Sequence, residues 1–362
     1  MRLQEQVYYD RAQNLWGVYT YAHCEAVLHH PAAVVPQGPQ FFAGLSHDAD
    51  QIGRHLARVS NGSAHDAHRR VAHALLARWR SPDVGRLLLS LLGNSSDGAE
   101  IDWVEQVGMV LPSLALLEGF GFPQDATMTI TRALPDLVRI MLPVKTPNDA
   151  HAINQAVAQV LPPVSAYIRQ HSFVQGSDAE ILYLSNLLGL LIQSHEAGRG
   201  LLSNALLHAF RQPIAAQTYA AYIPFVRETL RFDPPIHHTR RELAADIVLE
   251  NVTIPAGATV LVMLASANRD AQCFVEPEVF DPARERMIPY LSFGTGVHRC
   301  LAEHFSIDLA AAALHTLYSR YTHIHLLEQD IRYAPKANAR LPVRMRIGLD
   351  RSHTRSIFMA GP

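Results

Sequence analysis

The stretch 292-SFGTGVHRCLAEH-304 decides how this 362-residue chain is read. Its cysteine, Cys300, follows two glycines (Gly294 and Gly296), His298 and Arg299. An apolar helical pattern begins directly behind it. The bland reading of such a cysteine is a buried, inert thiol acting as a small hydrophobe. The frame of glycines, histidine and arginine asks for more.

The other cysteines, Cys24 and Cys273, make an odd count at wide spacing, which fits neither a disulfide framework nor a zinc knuckle. That usage suggests a reducing, cytoplasmic setting. The chain is 48% hydrophobic and 18% charged, enough for a sizeable core. A formal net charge of −2 argues against charge-driven nucleic-acid binding. The N-terminus MRLQEQVYYDRAQNLWG is polar and reads as neither signal peptide nor membrane anchor. The longest apolar stretch, 181–193, is interrupted by Ser185, Asn186 and Gln193 and falls short of a membrane span. Twenty histidines show no H-E-x-x-H spacing, so a protein-only metal site is not expected.

Residues 1–15 read as an N-terminal extension. Residues 16–35 read as a strand pair and a helix, and 36–64 as a mobile loop that closes on substrate. Helical patterns follow at 64–80, twice within 101–142 around GFGFPQD, and at 150–171, 177–210 and 214–232. DIVLENVTIPAGATVLVML alternates like a hairpin turned at Pro255-Ala256-Gly257. A helix at 301–320 and strands such as LPVRMRIGL close the chain. The sum is one domain, mainly α with small β-sheets.

Two helices carry unusual polar groups. Ser177 and Glu180 form a capping-box pattern, and the following ILYLSNLLGLLI is apolar nearly all round, as in a helix that crosses a core. In its middle lies 193-QSHEAGRG-200. Either the helix emerges into solvent there, or the segment forms a groove for a ligand with Glu196 in reach of water. In PFVRETLRFDPP, Glu228 and Arg231 share one helical face, and on spacing alone an ordinary solvated pair is the simpler reading.

In order, these pieces resemble the cytochrome P450 family. FGTGVHRC is similar to its haem-ligand loop, F-G-x-G-x-H-x-C-x-G, with Phe293, Gly294, Gly296, His298 and Cys300 in place and Ala302 where the last glycine would be. ETLR resembles the E-x-x-R helix, ANRD (267–270) a following segment, and HDAHRR (65–70) the H-x-x-x-R helix beside the haem. QSHEAGRG falls where the family has A-G-x-[DE]-T-T. The resemblance covers roughly residues 16–348, and its short N-terminus looks like the soluble bacterial branch.

The resemblance implies a cytochrome P450 fold in a single domain over 1–362, with a long central helix at 177–210 and a haem-ligand loop at 292–302. It implies haem b (iron protoporphyrin IX) with Cys300 as the axial ligand of the iron. A thiolate ligand pushes electron density towards bound dioxygen and favours O–O cleavage. Glycines turn backbone N–H groups towards the sulfur, the next helix adds its positive end, and Phe293 keeps water away. His65, Arg69, Arg241 and His298 fall at positions that hold haem propionates, with Arg240 an alternative to Arg241. Glu228 and Arg231 would pin the ligand loop. The third member of that network is missing because Val279 stands where the family has arginine, leaving Arg284 or Arg286 to compensate.

In the oxygen-activating segment, His195, Glu196 and Ala197 are the candidate catalytic residues. Glu196 keeps the acid that serves proton delivery, but Ala197 removes the alcohol, and Ser194 is expected to point elsewhere on the helix. Three routes stay open: a substrate hydroxyl with water, chemistry that needs less proton delivery such as oxidative coupling or desaturation, and direct use of peroxide, for which Arg199 lies nearby. A non-catalytic haem-binding role is the remaining alternative. The expected partners are a small organic substrate, drawn from natural-product biosynthesis, and a ferredoxin or flavodoxin. The latter would dock on His68, Arg70, Arg78, Arg80 and Arg299, because no reductase domain is fused. Neither nucleic acid nor membrane is expected.

Overall fold

Hydrophobic patterning by turns of helix dominates the chain, and the computed structural model follows it over the residues it describes, 7–93, 98–171, 177–214, 218–284 and 289–351. The helices are α1 (Tyr21–His29), α2 (His47–Arg54), α3 (Gly62–Arg78), α4 (Val84–Leu92), α5 (Leu111–Phe120), α6 (Gln124–Leu137), α7 (Pro147–Gln170), α8 (Ser177–Arg211), α9 (Tyr219–Phe232), α10 (Leu264–Ala267) and α11 (Glu303–Arg320). The strands are β1 (Val7–Asp10), β2 (Leu15–Val18), β3 (Ala33–Val34), β4 (Ala99–Asp102), β5 (Thr239–Leu243), β6 (Ile247–Leu249), β7 (Val252–Ile254), β8 (Thr259–Val262), β9 (His323–Leu326) and β10 (Arg346–Asp350). Among the described residues they form three small sheets, ordered β1-β2-β8-β5-β3, β4-β10-β9 and β6-β7. The fold is mainly α with small β-sheets, as the sequence implies.

The 35-residue α8 is the axis. Its first half packs Leu184, Leu187, Leu188, Leu191 and Ile192 into a cluster with α2, α5, α6 and α7. Its second half packs Leu201, Leu202, Ala205 and Leu206 into another with α4, α9 and α11. The polar segment 193–200 spans the gap between these clusters, and the helix continues unbroken through it. Its glycines serve close packing. A Cβ on Gly198 would lie 2.8 Å from Pro112, and one on Gly200 would lie 2.6 Å from both Pro235 and Leu341. A third cluster joins α1, with Cys24 at its centre, to the five-stranded sheet.

Several boundaries differ from expectation. The first strand pair starts earlier, because Asp10 accepts from the N–H groups of Ala12 and Gln13 and Asn14 takes φ 52°, closing a turn between β1 and β2. Residues 7–15 are therefore sheet and turn rather than an extension, and residues 1–6 lie outside the described chain. The segment 36–64 is not a plain loop. Ser46 caps α2, which buries Ala49, Ile52 and Gly53. The β6–β7 hairpin turns at Glu250 (φ 51°) and Asn251, while Pro255-Ala256-Gly257 leads on into β8 of the larger sheet. The capping side chain of Ser177 lies outside the described residues. No helix among the described residues is long and apolar enough to cross a membrane.

Candidate active site

The loop before α11 is built around its sulfur. Gly296 takes φ 69°, and a Cβ there would sit 2.6 Å from the Leu28 carbonyl oxygen, so α1 packs against a position only glycine can fill. Thr295 Oγ1 lies 2.9 Å from His29 Nε2. The Cys300 N–H donates to the Phe293 carbonyl at 2.9 Å, and the Ala302 N–H donates to Cys300 Sγ at 3.4 Å. Ala302 itself has φ −102°, a conformation open to any residue, so replacing glycine there introduces no strain. Cys300 is accessible, but the surface it shows is cavity wall. Burial among the surrounding residues pushes its thiol up, and the Ala302 N–H, Arg69 and Arg58 work in the opposite direction.

The cavity above the sulfur has a volume of about 330 Å³. The guanidiniums of Arg58, Arg69 and Arg241 all line it. Their partners are neutral oxygens. Arg69 donates to the Arg299 carbonyl at 2.7 Å, Arg241 to the Arg240 carbonyl at 2.8 Å and Thr239 Oγ1 at 3.2 Å, and Arg58 to Thr239 Oγ1 at 3.4 Å. None of the three has a carboxylate partner among the described residues. Burial, then Arg58, holds Arg241 down to about 10. The rings of His65 and His298 lie 3.9 Å apart, with His65 nitrogens 2.9 Å from the Ala57 carbonyl oxygen and 3.1 Å from that of Val297. Burial, followed by His65, Arg241, Arg58 and Arg69, depresses His298 to about 3. It is Arg241 that faces the cavity, while Arg240 is exposed. The haem that the resemblance implies fits this donor set: a thiol for its metal, guanidiniums for its carboxylates, and otherwise apolar walls such as Leu190, Leu201 and Leu309. Arg58 was not found from the sequence. Its signal was a lone arginine within the apolar run Leu56-Ala57-Arg58-Val59.

On α8, Ser194, Glu196, Ala197 and Gly198 face the cavity. Ser194 therefore does not point elsewhere. It shares the wall with Ala197, three residues on, and its hydroxyl donates to the Leu191 carbonyl at 2.9 Å. Glu196 pairs with Lys336 from the loop before β10. His195 is not among the lining residues. It is 3% exposed, its Nδ1 has no partner among the described residues, and burial depresses it to about 4. Arg199 also turns away, packing its Cγ over Gly108. Of the two readings of this segment, the ligand-facing one fits: the helix runs on unbroken, and one face of the segment is cavity wall with Glu196 partly exposed.

Behind the loop lies a second charged cluster. Glu228 and Arg231 are 0% and 2% exposed, so the solvated-pair reading fails. Arg231 donates to both carboxylate oxygens of Glu228 (2.7 and 2.9 Å) and to the carbonyls of Asn268, Pro277 and Val279. Arg284 takes the place left by Val279. Its Nε lies 3.3 Å from Glu228, and it donates to the carbonyls of Val275, Glu276 and Val279. Arg286 lies outside the described residues. Asn268 accepts from the Leu291 N–H and donates to Ser292 Oγ, which in turn donates to the Leu230 carbonyl, joining this cluster to the loop that carries Cys300. The expected basic dock is only partly present. His68 is buried against Ser60, and Arg299 pairs with Glu303 at 2.7 Å, whereas Arg70 is exposed.

Comparison with known proteins agrees with this geometry. The family model described as Cytochrome P450 matches residues 224–341, which hold the E-x-x-R helix and the cysteine loop. Cytochrome P450 119 of Sulfolobus acidocaldarius is 26% identical, with 91% of this chain and 92% of that protein covered. Erythromycin C-12 hydroxylase of Saccharopolyspora erythraea is 27% identical, with 92% and 88% covered. The crystal structure of P450BioI in complex with a hexadec-9Z-enoic acid-ligated acyl carrier protein superposes with a TM-score of 0.81 at 22% identity, covering 96% of each chain.

Proposed function

The chain belongs to the cytochrome P450 family, and from that premise we propose a haem-thiolate monooxygenase that inserts one oxygen atom of O2 into a small organic molecule. The family implies a haem-thiolate iron cofactor, here proposed to be haem b, which supplies dioxygen activation when bound. Cys300 would ligate its iron, with the Ala302 N–H bracing the sulfur and Phe293 screening it from water. Arg69 and Arg241, with His65 and His298, would hold its propionates. The observation that carries this reading is the Cys300 thiol facing a cavity in which Arg58, Arg69 and Arg241 lack carboxylate partners among the described residues.

Glu196 would hold the proton that the reaction needs, at the carboxylate now paired with Lys336. Ala197 offers no hydroxyl, so a hydroxyl on the substrate, with water, would complete the route into the cavity. Arg199, which would have favoured direct use of peroxide, lines no part of that cavity. Natural-product tailoring is the proposed setting, by analogy with the relative named as an erythromycin hydroxylase. A ferredoxin or flavodoxin would supply electrons, in the cytoplasm.

The test is the absorbance of the dithionite-reduced protein under carbon monoxide, beside Cys300→Ser. The expected result is the red-shifted Soret band of thiolate-ligated haem, lost in the variant. A wild-type protein without haem, or with an unshifted band, would overturn the reading. Turnover with NAD(P)H and redox proteins, set against peroxide alone, then separates the monooxygenase from a peroxide-driven enzyme.

A further inference from the structure

Four arginines line the cavity in which the proposed cofactor would present two carboxylates; Arg299 already pairs with Glu303, which leaves three guanidiniums without a carboxylate partner among the described residues. Arg69 stands on α3 and Arg241 on β5. Arg58 stands on the short turn Ala57–Val59 ahead of α3, outside every motif that the sequence analysis singled out. Among the described residues its one hydrogen bond is the long contact to Thr239 Oγ1, at 3.4 Å. Arg241 donates to the same hydroxyl at 3.2 Å, so the two heads are neighbours, and both residues line the cavity with Cys300 and His298. Its accessible surface, like that of Cys300, is cavity surface. Glu196 is the only acid on the cavity wall among the described residues, and Lys336 already holds it. A guanidinium withdrawn from water is costly unless an anion answers it, and two propionates leave one of three cations unmatched.

We propose that Arg58 is the anchor for a carboxylate on the substrate, so that this chain oxidises an organic acid rather than a neutral molecule. The planar fork of a guanidinium suits two parallel hydrogen bonds to a carboxylate. The apolar remainder of the acid would lie against Val138, Met141, Leu190 and Ile236, which share the cavity. The inference rests on the haem-thiolate reading, because its count of anions assumes the two propionates.

The test is equilibrium binding to the haem-loaded protein, followed by the Soret shift, with dodecanoate and 4-phenylbutyrate as probes, each beside its methyl ester. The wild type is expected to bind the acids about tenfold or more tightly than the esters. Arg58→Leu removes that preference by weakening the acids and not the esters, and keeps the carbon monoxide band. Arg58→Lys, which retains a single point charge, restores part of it and covers the case in which the leucine variant fails to fold. The proposal is overturned if the wild type binds no acid, if it binds acid and ester equally, or if the preference survives Arg58→Leu. A leucine variant that no longer retains haem would assign Arg58 to the cofactor instead and overturn the proposal. A wild type without the thiolate carbon monoxide band fails the underlying reading, and that is known before any titration begins.

Discussion

Around Glu228 every buried charge meets its opposite. Two guanidiniums share one carboxylate, and their remaining N–H groups make six contacts to the five carbonyls of Val275, Glu276, Pro277, Val279 and Asn268. Around Arg241, itself buried, three guanidiniums face the cavity and among the described residues meet only hydroxyl and carbonyl oxygens. The first cluster is closed and has nothing left to bind, so its work is to hold the Cys300 loop in place through Asn268 and Ser292. The second is open, and the charge it lacks describes what belongs in the cavity. Burial alone would not distinguish them; the tally of partners does.

The largest effect should come from opening the closed cluster. Glu228→Gln leaves Arg231 and Arg284 without a carboxylate and is expected to cost about 3–5 kcal/mol, read from urea unfolding or as loss of soluble protein. A near-normal midpoint would break the comparison. Next is His195, a polar group buried without an ion-pair partner among the described residues. Its pKa of about 4 in the folded protein lies below the ordinary value of 6.5, so the unfolded chain takes up its proton first as pH falls. Stability is then fully present above about pH 6.5 and declines towards pH 4, at about 1.4 kcal/mol per unit for this group. His68, also held down to about 4, adds to the slope. Urea midpoints at pH 7, 6 and 5 should show the decline, and His195→Leu should flatten it in part.

A change of opposite sign tests the open cluster. Arg241→Leu removes a cation that nothing answers, so the haem-free protein should gain stability, by about 1 kcal/mol, while the loaded protein surrenders haem to apomyoglobin faster. A loss of stability in the haem-free variant would mean that this cluster, too, is structural. The smallest effect belongs to the half-exposed Glu196–Lys336 pair. Lys336→Gln should change the unfolding free energy by less than about 1 kcal/mol, while shifting the pH profile of product formed per reductant consumed.

Much of this was legible in the sequence, and the limits have physical causes. The cysteine loop and the E-x-x-R helix each lie within a few consecutive residues, so their chemistry shows as a motif. Helices α3, α7 and α8 announce themselves by long apolar periodicity. What stayed hidden depends on partners distant in the chain. Arg58 gains meaning only beside Thr239 and Arg241, and Lys336 only beside Glu196, 140 residues earlier. Arg284 stands in for the arginine absent at Val279 because the loop folds back on Glu228, and spacing does not reveal that. Ser194 was misplaced because the cavity wraps a wider arc of α8 than one residue's direction suggests. The start of β1 was missed because a turn held by Asp10 and Asn14 carries no glycine or proline to mark it.

The parallel pairing of β2 with β8 sets a timetable for synthesis. Val18 finds its neighbour Val262 only after most of the chain has been made, and β4 waits longer still for β10. At a ribosome's pace of roughly 5–20 residues per second, that is a delay on the order of tens of seconds. Until then β1 and β2 form a two-stranded ribbon, marginal in water, with Tyr9 and Trp16 stacked on an open face. Helices α5 to α8 have neighbours close in the chain and can pack while translation proceeds. Nascent chains halted before residue 262 should therefore be clipped by protease near residues 7–18 and resist it across the helices, whereas the finished protein resists it at both.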